Sequence, residues 1–160
     1  WRMDVDDLIQ LVAQQPDIQG YVNVGEARLH GAEATLGWTP TADVSLRATG
    51  ALARGEDGHG TPLYGVSPMS ASLEARHEVG AVALGARYGH RWRTNRPGFE
   101  EVGRDAVDVV DAELRYRITP QLDLQVYLRN AFDEQYYATA DELSTFAPER
   151  SIGINLTWTN

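Results

Sequence analysis

Lysine and cysteine are both absent from this 160-residue sequence, and no apolar run approaches the ~18 residues of a spanning helix. Without cysteine there is neither a disulfide framework nor a thiolate metal site. Positive charge is scarce, with 14 basic against 23 acidic residues and a net charge of −9. That balance excludes nucleic acid as a partner, because neutralising phosphates needs an excess of cations. The four histidines, His30, His59, His77 and His90, show no ligand spacing with carboxylates or with one another, so no metal and no cofactor is expected. Gly55-Glu-Asp-Gly-His-Gly60 lacks both the alternating oxygen ligands of an EF-hand and the lysine of a P-loop, and is expected to be an external loop. Asp108 and Asp111 are three apart and point to opposite faces of a strand, so Asp105, Asp108 and Asp111 are not expected to converge. No nucleophile elbow is present, and no catalytic residue is expected.

What the sequence does contain is alternation. Val44, Leu46, Ala48, Gly50 and Leu52 interleave with Ser45, Arg47, Thr49 and Ala51. Val82, Leu84, Ala86, Tyr88 and Trp92 stand against Gly85, Arg87, Gly89, Arg91 and Arg93. Similar runs cover Val110–Ile118, Leu122–Leu128 and Ile152–Trp158. Apolar residues at every second position mark strands with one apolar and one polar face. Weaker runs at Trp1–Leu8, Tyr21–Thr39 and Ser70–Glu78 bring the total to about eight. In the second of these the apolar phase changes between Leu29 and Ala34, Leu36 and Trp38, which predicts a bulge near Gly31. The fold class is therefore all-β and antiparallel. A mean hydropathy of −0.38 fits a soluble sheet and equally a membrane barrel, in which only alternate residues meet lipid.

The connections sort by length. Short turns are predicted at Thr39–Ala42, Glu78–Gly80 and Thr119–Gln121, where Pro and Gly supply the geometry. Long polar stretches fall at roughly 9–20, 54–66, 94–106 and 133–147. Strict alternation of long and short connections is what a membrane barrel predicts, with tight turns at one end and large external loops at the other. Trp1, Trp38 and Trp158, joined by Tyr116, are predicted to share the short-turn end as a membrane-interface girdle, with Trp92 at the opposite interface. The polar faces carry charges of both signs on neighbouring strands, which suits a confined lumen or an exposed sheet.

One cluster offers ligand chemistry. Arg91, Arg93 and Arg96, with Arg87 and Arg104, gather around one hairpin mouth, and Phe99, Tyr136 and Tyr137 lie in nearby loops. Guanidinium on carboxylate or catecholate oxygen, with aromatic rings on flat ligand faces, would hold an anionic iron chelate. The competing reading pairs these arginines with Glu100, Glu101, Asp105, Asp111 and Glu113.

Three stretches resemble the last strands of TonB-dependent receptors: Tyr21-Val-Asn-Val-Gly-Glu-Ala-Arg-Leu-His-Gly-Ala-Glu33; Leu128-Arg-Asn-Ala-Phe-Asp133 followed by Tyr136-Tyr137; and Pro148-Glu-Arg-Ser-Ile-Gly-Ile-Asn-Leu-Thr-Trp158. Met3–Ile9 is similar to the strand before them, so the resemblance runs in family order through the chain. It implies the C-terminal part of a 22-stranded outer-membrane barrel of a Gram-negative bacterium, here one barrel region over residues 1–160 without the family's plug. It further implies uptake of a ferric siderophore or similar scarce nutrient, with no bond made or broken. The implied partners are the lipid bilayer, the barrel-assembly machinery and TonB, the last only through a plug. Eight strands would also suffice for a small closed barrel with a structural or adhesion role, and a soluble β-sandwich binding module is the third reading.

Overall fold

In the computed structural model of the chain, which describes residues 1–15, 18–23, 25–98, 101–138 and 145–159, the alternating runs are strands and there is no helix. They are β1 (Arg2–Val5), β2 (Ile9–Gln15), β3 (Ile18–Asn23), β4 (Ala27–Thr41), β5 (Val44–Asp57), β6 (Ser70–Val79), β7 (Val82–Arg91), β8 (Val107–Thr119), β9 (Leu122–Arg129) and β10 (Ser151–Trp158). Eight form one sheet in the order β1-β4-β5-β6-β7-β8-β9-β10, and β2 pairs with β3 alone. Every neighbouring pair is antiparallel. β1 and β10 are the two ends of this sheet and do not pair with each other, so these eight strands do not close into the small barrel. Among the described residues no second sheet packs on the first, which also removes the sandwich.

The connections alternate as the sequence predicts. Turns of two residues join β4 to β5, β6 to β7 and β8 to β9, whereas 58–69, 92–106 and 130–150 are long. Two boundaries differ from expectation. β4 runs through Pro40 to Thr41, so the first turn is Ala42-Asp43. The stretch 9–20, expected as a loop, belongs largely to the β2–β3 hairpin. That hairpin continues the β1–β4 ladder in register: carrying Val5↔Ala27 four residues further gives Ile9↔Asn23, the observed pair. Where the ribbon is interrupted, Asp7 (φ 57°) stands opposite Gly25 (φ 76°). Asn23 spans the corner, donating Nδ2 to Asp7 Oδ1 at 2.9 Å and accepting from the Gly25 amide at 2.7 Å.

The bulge predicted near Gly31 is not there. The β4–β5 register is unbroken from Ala27↔Asp57 to Trp38↔Leu46 and shifts only beside the turn. Leu29 therefore stays on the polar face, and the structure accommodates it by folding a loop inward. Around Gly55, its ladder partner, Leu29 meets Leu63 and Val66 of the 58–69 connection, and Leu63 is buried. The change of phase in the sequence reflects this small inner cluster, not a change of face.

A single curved sheet has little interior. Ala27, Leu63, Val107 and Ala147 are the buried apolar residues among those described. The concave face carries charge: Arg47, Glu74, Arg87, Asp111, Glu113 and Arg129 line a groove of about 540 Å³. Glu74 and Arg87 are ladder partners 3.3 Å apart, and Arg129 reaches Asp111 at 3.5 Å. The convex face is apolar and bare, with Leu36 70%, Ile152 72% and Leu156 66% exposed. Burying such side chains is worth about 1.5–3 kcal/mol each, so this face requires an apolar phase outside the chain. The Glu74–Arg87 pair is half exposed on both sides, and its contribution is correspondingly small. Glu74→Gln is expected to lower the unfolding free energy by less than about 1 kcal/mol, read from the urea midpoint.

Candidate functional site

The long connections crowd above the concave face, and the 130–150 connection is shaped by its first residue. Asn130 is 4% exposed and adopts φ 50°, a conformation asparagine tolerates better than most residues. Its Nδ2 donates to the carbonyls of Glu134 at 2.9 Å and Pro148 at 3.3 Å, while its Oδ1 accepts from the Glu134 amide at 2.9 Å. Its own amide donates to Asp111 Oδ1 at 2.9 Å. Asp133 (φ 60°) accepts the Arg150 amide at 2.7 Å. Asn130 and Asp133 thus tie the start of the loop to its return, and β10 enters the sheet from a fixed point.

That tie delivers Tyr136 and Tyr137 to the mouth of the groove, both half-buried. Tyr137 bridges to Phe146, their rings stacked at 4.3 Å and 28°. The Arg104 guanidinium lies 3.8 Å over the Tyr137 ring. Arg91, at the end of β7, donates Nη2 to the Tyr137 carbonyl at 2.6 Å and Nη1 to Ala138 at 3.1 Å, with its guanidinium 5.4 Å from the Tyr136 ring centre. Two hollows meet here, one of about 460 Å³ on the concave face and one of about 490 Å³ among the loops, and Ser70 and Arg91 border both.

Of the residues expected to form one site, Arg91, Arg104, Tyr136 and Tyr137 come together, and Arg93 and Arg96 do not. Arg93 faces Asp105 at 3.8 Å in the open. Arg96 reaches Glu56 and the Gly60 carbonyl, each at 3.3 Å. Phe99 and Glu100 lie outside the described residues. Of the proposed carboxylate partners, Asp105 meets Arg93 of the hairpin mouth. Glu101 instead accepts the amides of Gly65 at 3.0 Å and Gly98 at 2.7 Å, Asp111 pairs with Arg129 and Glu113 with Arg115. Glu101 so locks the 58–69 loop to the 92–106 loop. They touch closely there: a Cβ on Gly98 would lie 2.6 Å from the Tyr64 amide nitrogen. Phe146 was missed in the sequence because it lies in the return limb of the 130–150 connection, where alternation gives no guide.

The aromatic residues proposed for the girdle divide. Trp38 lies close to the Ala42-Asp43 turn, Tyr116 pairs with Val82 beside Gly80-Ala81, and Trp158 pairs with Leu122 beside Pro120-Gln121. Trp1 does not join them. Its backbone nitrogen donates to the Gly31 carbonyl at 2.9 Å, and its indole covers Gly31, which is seven residues up β4 from Trp38. Only register places Trp1, because β1 pairs with the far end of β4. On the outward face of β7 and β8, Asp108 accepts from Tyr88 Oη and pairs with His90 Nδ1 at 2.7 Å, and the His90 ring meets Trp92 edge-on at 4.4 Å. Asp108 and Asp111 face opposite ways, as their spacing requires.

The family profile described as TonB dependent receptor-like, beta-barrel matches residues 1–131. No curated protein matches the sequence. Among solved structures, the fold is similar to the copper transporter OprC, with a TM-score of 0.88 and 19% identity over 97% of this chain and 27% of that one. It is also similar to the pyoverdine outer membrane receptor FpvA from Pseudomonas aeruginosa PAO1 (TM-score 0.79, 18% identity, 99% of this chain and 26% of that one). The ferric yersiniabactin uptake receptor FyuA from Yersinia pestis gives a TM-score of 0.78 and 19% identity over 98% of this chain and 26% of that one. The chain spans about a quarter of the length of these structures. With an apolar convex face, a charged concave face, connections sorted by length and a profile match over most of its residues, the chain belongs to the TonB-dependent receptor-like β-barrel family.

Proposed function

We propose that this chain supplies wall strands and external loops of a Gram-negative outer-membrane receptor for an iron chelate, a ferric siderophore or a nutrient of like chemistry. The observation that carries this reading is the junction of Arg91, Arg104, Tyr136, Tyr137 and Phe146 between two open hollows. Guanidinium groups next to aromatic faces suit an anionic, flat, oxygen-rich ligand. Capture makes and breaks no bond, so no residue is assigned a catalytic role. Residues 1–160 are read as one barrel region. Its convex face meets lipid, and Trp38, Tyr116 and Trp158 mark the inner interface. Folding into the bilayer would be guided by the barrel-assembly machinery, and TonB would act through a plug.

The test is binding by the intact receptor, followed by tryptophan fluorescence, with a ferric catecholate, a ferric hydroxamate, haem, cobalamin and cupric ion as separate probes. A ferric chelate is expected to bind best, and Tyr137→Ala and Arg91→Gln are each expected to weaken it about tenfold. Preference for cupric ion or cobalamin, with those variants unaffected, would overturn the assignment.

A further inference from the structure

The convex face changes character towards the end of the strands where the long connections lie. Along β4 one face reads Arg28, His30, Ala32, Ala34, Leu36 and Trp38, with the register to β5 unbroken throughout. Leu36 and Trp38 are among the most exposed apolar side chains, so this is the outward face, and Arg28 and His30 are on it. The register extends the assignment to both neighbours. Arg54 of β5 stands opposite His30, as does Arg2 of β1, and Asp4 stands opposite Arg28. Three guanidiniums therefore share this end of the face, and Asp4 engages two of them. Asp4 accepts from Arg2 Nε and Nη2, both at 2.9 Å, and from Arg28 Nε at 3.0 Å. Glu56, opposite Arg28, is taken by Arg96. Arg54 has no ion pair among the described residues. Asp4 balances one of these charges, and exposed donors remain, Arg2 and Arg28 each keeping more than half of their side-chain surface open.

Depth decides what such a cluster meets. Arg28 is ten residues along β4 from Trp38, roughly 33 Å of strand at ~3.3 Å per residue. At a tilt of about 45° the rise is about 23 Å, close to the ~25 Å height of a barrel's apolar band. With Trp38 at one interface, Arg2, Arg28 and Arg54 stand at the other, level with the headgroups of the outer leaflet. Arginine at that depth presents planar paired donors that match phosphate oxygens. Asp4 holds Arg2 and Arg28 side by side, so little side-chain freedom remains to be lost on binding.

We propose that Arg2, Arg28 and Arg54, with His30 beside them, form a site for the phosphate of an anionic lipid headgroup on the outward face of the barrel. The site rests on the convex face being the lipid-facing one. Its ligand is a lipid, because the apolar stripe of Ala34 and Leu36 directly below the cluster gives an acyl chain its place and a free anion has no use for it.

The test uses the intact receptor in phosphatidylcholine nanodiscs with and without one-tenth phosphatidic acid, counting retained lipid by native mass spectrometry. Insertion into phosphatidylcholine alone, read by heat-modifiable gel migration, checks the membrane reading separately. Wild type is expected to retain phosphatidic acid about tenfold over phosphatidylcholine, a preference that falls as salt is raised. The double variant Arg28→Gln/Arg54→Gln is expected to lose that preference while migrating as a folded barrel. Should that variant fail to fold, Arg54→Gln alone leaves the Asp4 pairs intact and is expected to lose severalfold. Equal retention of the two lipids by inserted wild type, or an unchanged preference in Arg54→Gln, would overturn the site. So would displacement of the lipid by millimolar inorganic phosphate, which would mark a simple anion site. Failure of wild type to insert would instead sink the membrane reading on which the site rests.

Discussion

Asn130→Ala is expected to lower the unfolding free energy by about 3–4 kcal/mol, the largest loss from any single polar truncation in the chain. Three side-chain hydrogen bonds disappear together, two of them to Glu134 and one to Pro148. Each is worth about 1 kcal/mol, and more where a buried partner is left unsatisfied. Alanine must also hold φ 50°, which costs about another 1 kcal/mol. Asn130→Gly separates the two contributions. It accepts the dihedral freely and still loses the bonds, so it should recover about 1 kcal/mol of the loss. The measurement is urea unfolding of the intact receptor in detergent, with limited proteolysis of the 130–150 connection as a local readout. The connection should become cleavable in both variants. A loss below about 1 kcal/mol with no new cleavage would show that the loop is held elsewhere, most directly by Arg91 on the Tyr137 carbonyl.

How far the sequence reaches is set by the range of the interaction concerned. The strands from Val44 to Leu128 are legible because their signal is local: each residue reports its own face through the period of two, and a two-residue turn such as Pro120-Gln121 needs no distant partner. Register is not local. Nothing in Trp1 reveals that β1 meets β4 at Ala27–His30 and not beside the turn. Nor does the 9–20 stretch announce a strand, since its pairing depends on a corner made by Asp7 and Gly25 from opposite limbs of one ribbon. The phase change after Leu29 misled for a related reason. An apolar residue on a polar face implies a bulge only if nothing comes to cover it, and Leu63 arrives from 34 positions away. The site shows the same limit. A run of arginines reads as one cluster, but Arg91, Arg93 and Arg96 lie where β7 ends and the chain turns freely, so each meets a different part of the loops. The Asn-x-x-Asp spacing of Asn130 and Asp133 was visible as part of a resemblance. Its physical task, holding Pro148 and Arg150 on the returning limb, belongs to the folded loop alone.

Gly31→Val is expected to prevent stable folding of the β1–β4–β5 corner, and Gly31→Ala to cost about 3 kcal/mol, at the upper end of the usual 1–3 for overpacked sites. A Cβ at this position would run into the Leu52 carbonyl oxygen on one side, and would lie 2.7 Å from the Trp1 indole on the other. The indole ends a mobile side chain at the edge of the sheet and can move aside. The carbonyl cannot, because it belongs to β5 in the middle of an unbroken ladder. Gly153 provides the contrast within the same sheet. There the obstruction is the Tyr127 ring, which lies over the glycine as a side chain and can rotate away. Gly153→Ala should therefore be largely rescued by Tyr127→Ala, whereas Gly31→Ala should not be rescued by Trp1→Ala. The two double-mutant cycles, read from urea midpoints, separate a backbone clash from a side-chain one. Recovery of more than half of the Gly31→Ala loss in the Trp1→Ala background would place the obstruction in the indole. The close approach of β4 to β5 would then be a consequence of Trp1 packing and not a requirement of the backbone.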